Sequence, residues 1–327
     1  MTNDLSFEAK NKKLKEILFG NLNHYYKIPR YQRPYAWSEE QINEFWNDLL
    51  SENQTYFLGS FIFNTQFEED ENGYIEVIDG QQRLLTTTIF ISVLRNICKE
   101  LGDNKTASLF QRQNIAFEDE DGNETYRVKA GDSTKPFFEK YIQQENNNIF
   151  EAKCQNKEET RIQKNYLDLY NRTKKFINNI DNKEKQIQKI KDLRKKTGNL
   201  IVIDIKLKSE DVAYEIFETV NARGVELSVS DLLKNLIFSK IKESDGKDIA
   251  KEMWSEIESN VEQTGTDLKK FIRYYWISKY EFVTEKKLYS SIKKEITDYQ
   301  VFIDDLYSAA SWYNSMLEGN IDDFKTV

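Results

Sequence analysis

The sequence predicts an α+β fold, a small mixed sheet with helices followed by a mainly α-helical region. Three observations carry this. Short apolar runs bounded by turn residues occupy 56–78 and 200–207. Only 3 Pro and 12 Gly interrupt 327 residues. The second half is dense in Lys, Glu, Ile, Leu and Asn, which favours long helices over short strands. Two domains are expected. Residues 1–240 would form the first, with a largely helical insertion over about 102–198, and residues 241–327 the second. Because Ser311 to Leu317 still reads as helix, the chain is expected to be either a whole subunit or the front of a longer protein.

Taken in order, Ile28 to Trp37 (IPRYQRPYAW) holds two of the three prolines, so it should be extended and anchored. A helix should follow. Ser38 can cap it with Gln41 answering three residues later, and Ile42, Phe45, Trp46 and Leu49 fall on one stripe. Tyr56 to Asn64, the acidic turn Glu68 to Gly73 and Tyr74 to Ile78 spell a β-hairpin. Leu84 to Leu101 is apolar on nearly every side and should be a helix buried against the sheet. Residues 102–150 read as insertion and loop, with a hairpin around Asp121-Gly122-Asn123, and Tyr166 to Arg194 returns to helix.

Leu200 to Leu207 is a strand. Ile201, Ile203, Ile205 and Leu207 should form its buried face, leaving Val202, Asp204, Lys206 and Lys208 on the wet side. A helix near Asp211 to Val220 is followed by Asn221-Ala222-Arg223-Gly224. Ser228 then opens another helix, with Asp231 at the capping-box position.

Composition removes several kinds of chemistry. The chain is 39% hydrophobic and 31% charged, which marks a folded, water-soluble protein. Its first ten residues carry no signal-peptide core and nowhere do 18 apolar residues run together, so no membrane association and a cytoplasmic location are expected. Two cysteines, Cys98 and Cys154, make neither a disulfide framework nor a zinc cluster. His24 is the single histidine, so the chain holds no two-His metal site and no HNH-type nuclease. A net charge of -8 confines any nucleic-acid contact to a local patch. Lys183 to Lys196 is the best such stretch, with seven basic and two acidic residues, and it reads more readily as a solvated amphipathic helix. The acidic runs Glu68 to Glu71 and Glu118 to Asp121 lack the alternating spacing of a calcium loop and read as solvated turns.

Chemistry points to Asp79-Gly80-Gln81-Gln82-Arg83, between a strand and a buried helix. Backbone N–H groups and the positive helix end converge there and suit a phosphate. Gly80 lets the backbone come close, and Arg83 offers a fork of donors to phosphate oxygens. Asp79 could hold Mg²⁺ or position a water, and Gln81 and Gln82 could hold that water or read a base or sugar. The same residues also suit a plain turn, and neither a Walker A motif nor G-x-G-x-x-G is present. Gln32 and Arg33, between Pro29 and Pro34, and Asn221 and Arg223 ahead of a capped helix, are further groups able to face an anion.

Together these segments resemble the GmrSD restriction endonuclease N-terminal domain family, whose members are also found in phosphorothioate-sensing defence proteins. The resemblance rests on Ile28–Trp37, on FLGS at Phe57–Ser60, on VIDGQQR and its Thr-rich helix at Val77–Thr87, and on Phe217–Asn235. It covers roughly 10–240. It implies a ParB/sulfiredoxin-like fold and binding and Mg²⁺-dependent hydrolysis of a nucleoside triphosphate at the DGQQR loop, coupled to restriction of modified phage DNA. The site it implies comprises Gln32, Arg33, Asp79, Gly80, Gln81, Gln82 and Arg83, with Asn221 and Arg223. The implied partner is an HNH-type nuclease domain or subunit, and homo-oligomers are compatible with the reading.

Two other functions fit parts of the sequence. A non-catalytic DNA-sensing module would use the basic stretch. A metal-dependent nuclease would use Asp79 with Asp204-Ile205-Lys206 as an acid-x-Lys pair.

Overall fold

A computed structural model describes residues 8–19, 24–51, 56–69, 73–118, 122–132, 134–145, 148–208, 229–241 and 247–317. The helix expected over 211–220, the capping Ser228, and Asn221 and Arg223 lie outside the described residues. Two compact units divide at Phe217 and Glu218.

The first unit is built on a six-stranded mixed sheet with order β1-β8-β3-β4-β2-β7. Its strands are β1 (Glu8–Lys13), β2 (Tyr25–Lys27), β3 (Phe57–Asn64), β4 (Tyr74–Asp79), β7 (Val128–Lys129) and β8 (Ile201–Leu207). The expected hairpin is β3 and β4, paired antiparallel with Phe63 opposite Val77. β8 lies parallel to β3 and antiparallel to β1, and β2 lies parallel to both β4 and β7.

Helix α2 (Glu39–Leu50) starts as its sequence dictates: the Ser38 N–H donates to Gln41 Oε1 at 2.8 Å, and Ile42, Phe45, Trp46 and Leu49 are buried. Helix α3 (Gln81–Glu100) buries 16 of its 20 residues, so it is the unit's central element. Phe45 and Trp46 of α2 meet Phe90 of α3 edge-on. Helices α1 (Leu14–Leu18), α6 (Lys157–Asn178) and α7 (Lys183–Gly198) pack on the same core. Asn156 and Asn182 cap α6 and α7, so the stretch read as one returning helix begins earlier and is two.

Two readings are corrected. Residues 102–150 are not simply an insertion. They hold α4 (Asn104–Phe110), the expected hairpin of β5 (Ala116–Glu118) and β6 (Glu124–Tyr126), and β7, which joins the main sheet. Arg95 of α3 ties this region down: its buried guanidinium donates to Gln111 Oε1 at 2.5 Å and to the Gln143 and Ile142 carbonyls at 2.9 and 3.1 Å.

In β8 the polarity departs from expectation: Leu207 is buried as expected, but the side set to face water is buried as well at two positions. Val202 and Asp204 are buried, while Ile201, Ile203 and Ile205 are half-buried. β8 is a central strand whose Val202 face meets the core formed with α1 and α7. Asp204 is tolerated there because Lys12 Nζ of β1 lies 2.5 Å from its carboxylate.

In the second unit the described helices are Val229–Lys240, Ile249–Gln263, Leu268–Lys279, Glu285–Glu295 and Tyr299–Leu317. Asp248 and Asp267 cap two of them, and Leu233, Ile237, Trp254, Ile257, Trp276, Leu288 and Ile303 are among the buried side chains. The 229–240 segment thus belongs with the helical region, ahead of the limit expected at 240. Among the described residues no helix is long and apolar enough to cross a membrane.

Candidate functional site

β4 ends at Asp79 and α3 begins at Gln81, so the turn between them is one residue, Gly80. Gly80 has φ +95°, a left-handed conformation, and an added Cβ would sit 2.4 Å from Phe61 Cδ1. Both facts demand glycine. Gly80 at the N-cap has no side chain to cap α3, so among the described residues the N-cap gives the first-turn N–H groups no side-chain acceptor, and they are open to a ligand or water.

Arg83, in that first turn, lies across the backbone of β3. Its Nη1 donates to the Ser60 carbonyl at 3.0 Å and stands 3.8 Å from Asp79 Oδ2. The berth exists because position 59 lacks a side chain: Gly59 has φ +129°, and a Cβ there would meet Arg83 Nε at 2.6 Å. Asp79 and Arg83 keep 24% and 30% of their side-chain surface exposed, so both remain reachable. Tyr56 stands at the same mouth. Burial and a hydrogen bond to Asp48 of α2 push its phenol up to about 12, with Glu44 adding to this and Arg83 opposing it.

The proline segment 28–37 is a strap. It opens with a turn closed by the Gln32 N–H on the Pro29 carbonyl at 3.1 Å, and side chains then satisfy its backbone in place of a strand ladder. Gln32 Nε2 donates to the Ile78 carbonyl at 2.8 Å, and Gln81 Nε2 to the Arg33 carbonyl at 2.8 Å. Gln82 grips twice: Oε1 accepts from the Ala36 N–H at 2.8 Å and Nε2 donates to the Pro34 carbonyl at 3.2 Å. From α6, Glu158 accepts from the Tyr35 N–H and Asn165 donates to the Trp37 carbonyl at 2.8 Å. The Tyr35 ring is fully buried, and its hydroxyl pairs with Thr86 and Asn165, at 2.8 and 3.0 Å.

The structure therefore brings Gln32, the Arg33 backbone, Asp79, Gly80, Gln81, Gln82 and Arg83 to one locus. The Arg33 guanidinium is half-buried and makes no ion pair among the described residues. Gly59, Ser60, Glu158 and Asn165 are additions that residue-by-residue reasoning passes over. Gly59 alone carried a usable signal, because a glycine inside an apolar strand marks a close approach. Glu158 and Asn165 act from a helix more than 120 positions away, which no local pattern announces.

The acid-x-Lys nuclease reading does not survive the contacts. Asp79 ends β4 and Asp204 lies on β8, with β3 between the two strands. Asp204 and Lys206 are each bound elsewhere, to Lys12 and Glu68. Among the described residues no three His, Cys, Asp or Glu side chains come together as metal ligands. The Lys183–Lys196 stretch is an amphipathic helix burying Ile190 and Leu193, with Arg194 held by Asn114 at 2.7 Å and Gln113 at 3.0 Å.

What fold and site define is a mixed-sheet α+β domain whose uncapped helix N-terminus, faced by one carboxylate and one arginine, is clamped under a proline strap. The chain belongs to the GmrSD restriction endonuclease N-terminal domain family, whose model matches residues 14–238. Its place is therefore in a restriction system, which acts on DNA. No curated protein matches the sequence.

Proposed function

We infer that the β4–α3 loop binds the phosphates of a nucleoside triphosphate and promotes its hydrolysis, as the nucleotide-handling part of a cytoplasmic restriction system against modified phage DNA. The observation that carries this is the convergence of uncapped N–H groups, the Arg83 guanidinium on its glycine berth, and a reachable Asp79 at one turn.

In this reading phosphate oxygens take the first-turn N–H groups and the Arg83 fork. The 3.8 Å Asp79–Arg83 contact is loose enough for an anion to replace. Asp79 then faces the ligand, where a carboxylate can orient the attacking water. Gln32, Gln81 and Gln82 act through the strap they hold, which fixes where Arg33 stands as a second cation. A Mg²⁺ ion held by Asp79 and by phosphate oxygens fits this donor set, since one carboxylate plus substrate phosphates is a common Mg²⁺ arrangement, and it would neutralise phosphate charge. Asn221 and Arg223, which the resemblance also implies, lie outside the described residues. DNA cleavage belongs to an HNH-type domain or subunit outside these 327 residues, because His24 is their single histidine. Self-association is part of the proposal only as a property to measure.

Purified protein with Mg²⁺ should release phosphate from at least one of ATP, GTP, CTP and UTP, and Arg83→Ala and Asp79→Asn should remove that release. Wild-type protein that neither binds nor hydrolyses any of the four overturns the reading. A second reading, a DNA-sensing module that does not hydrolyse nucleotide, is favoured by one observation: the Gln81 and Gln82 amides are already engaged by the strap. DNA binding without phosphate release would select it.

A further inference from the structure

The sheet face opposite α3 carries a second polar feature that the nucleotide reading does not use. Tyr26 and Val128 are buried in the core with α3, so strand alternation turns Tyr25, Lys27 and Lys129 to the other face. β2 and β7 run parallel with Lys27 opposite Lys129, and β2 pairs with β4 so that Tyr25 is opposite Tyr74. Three rings form a stack there: Phe67 on Tyr74 with centroids 5.0 Å apart, and Tyr74 on Tyr25 at 5.8 Å. Both lysines rest on this stack. Lys129 Nζ is 3.6 Å from the Tyr25 centroid and Lys27 Nζ is 4.7 Å from that of Tyr74.

Among the described residues neither ammonium makes an ion pair. Glu76, opposite Lys27, accepts from Asn64 Nδ2 at 3.1 Å, and Glu139 is 3.9 Å from Lys135. Burial first, and the neighbouring Lys135 after it, disfavour the charge on Lys129, and Glu139 opposes them only in part. An anion would relieve this. Two ammonium groups on neighbouring strands, whose backbones lie about 5 Å apart, can bracket one phosphodiester, and the rings limit their rotamer freedom before any ligand arrives.

We propose that Lys27 and Lys129, held on the Phe67–Tyr74–Tyr25 stack, are a contact surface for the phosphate backbone of duplex DNA. Charge selects the occupant. In a chain of net charge -8, DNA contact has to be local, and this patch presents fixed cations in a family whose system acts on DNA. β4 carries Tyr74 near one end and Asp79 at the other, about 16 Å apart at the rise of a strand, so one element links the DNA surface to the phosphate loop. The proposal rests on the DNA-directed part of the function above and not on nucleotide hydrolysis.

Fluorescence anisotropy of a labelled duplex, titrated with the full chain at several salt concentrations and without nucleotide, tests it. The double variant K27Q/K129Q should bind about tenfold or more weakly, and its log K against log salt slope should be shallower by about 2, one unit for each lost phosphate contact. Single variants K27Q and K129Q should each show about half that change in slope, which keeps the test open if the double variant unfolds. K183Q/K185Q, two exposed lysines of α7, should bind as wild type does. Absence of DNA binding by wild type, an unchanged slope in the patch variants, or an equal loss in the α7 control overturns the proposal. So does loss of phosphate release by K27Q/K129Q with DNA binding intact, which would mark a nucleotide subsite. DNA binding through the patch in a protein that hydrolyses nothing refutes only the nucleotide reading.

Discussion

Replacing Gln82 separates the two roles its position allows, strap clamp or reacting-group partner. Gln82→Ala leaves the Ala36 N–H and the Pro34 carbonyl without the partners now at 2.8 and 3.2 Å. A fully buried orphan costs about 1–3 kcal/mol. Pro34 is exposed and Ala36 half-buried, so water reaches both and the low end applies, about 2 kcal/mol for the pair. At about 2–4 °C per kcal/mol for a unit of this size, the first unit should melt about 4–8 °C lower, followed by circular dichroism. Gln82→Glu should fare no better: its carboxylate still accepts from Ala36 but repels the Pro34 carbonyl. Phosphate release by Gln82→Ala should recover as temperature is lowered, because the strap re-docks. A variant that melts with wild type and yet releases no phosphate at any temperature refutes the clamp and returns Gln82 to the chemistry.

Gly59→Ala should cost about 1–2 kcal/mol in backbone strain and displace Arg83, so nucleotide affinity should fall toward that of Arg83→Ala while the fold persists; isothermal titration that finds wild-type affinity removes the berth from the argument. His24 sits below its ordinary pKa chiefly through burial, with the Glu68 carboxylate opposing. The unfolded chain therefore binds the proton first: stability is full above about pH 6.5 and declines as pH falls through that value toward the folded pKa. Urea midpoints at pH 7.5 and 5.5 should differ less for His24→Gln than for wild type, and an identical difference counts against the assignment. Burial pushes the Cys98 thiol up to about 12, so at pH 8 a thiol reagent should label the half-buried Cys154 and reach Cys98 only after unfolding. Rapid labelling of both in native buffer would contradict the packing of α3.

Local periodicity and capping chemistry made most elements of the first unit legible. Ser38 with Gln41, the β3–β4 hairpin and the all-apolar α3 each declare themselves within a dozen residues. What stayed illegible depended on pairing across the chain. The alternation of β8 is legible, yet its buried side is not, because two neighbouring strands and the half-buried Lys12 decide which face an Asp can occupy. The candidate site divides in the same way. Asp79, Gly80 and Arg83 stand out because a strand, a glycine and a helix start are adjacent in sequence. The roles of the glutamines do not, since an amide looks alike whether it faces a ligand or a backbone.

Only the strap's hydrogen bonds separate those uses, and they run from Gln32, Gln81 and Gln82 to residues on both sides, with α6 closing the far end through Glu158 and Asn165. A polar motif of this density then has two uses, with Asp79 and Arg83 left reachable at the turn and the glutamines holding two prolines where no ladder can. The arrangement accounts for a five-residue loop that keeps its geometry although its turn consists of a single glycine. It also makes damage to α6 a route to a displaced strap without any change at the Asp79–Arg83 turn itself.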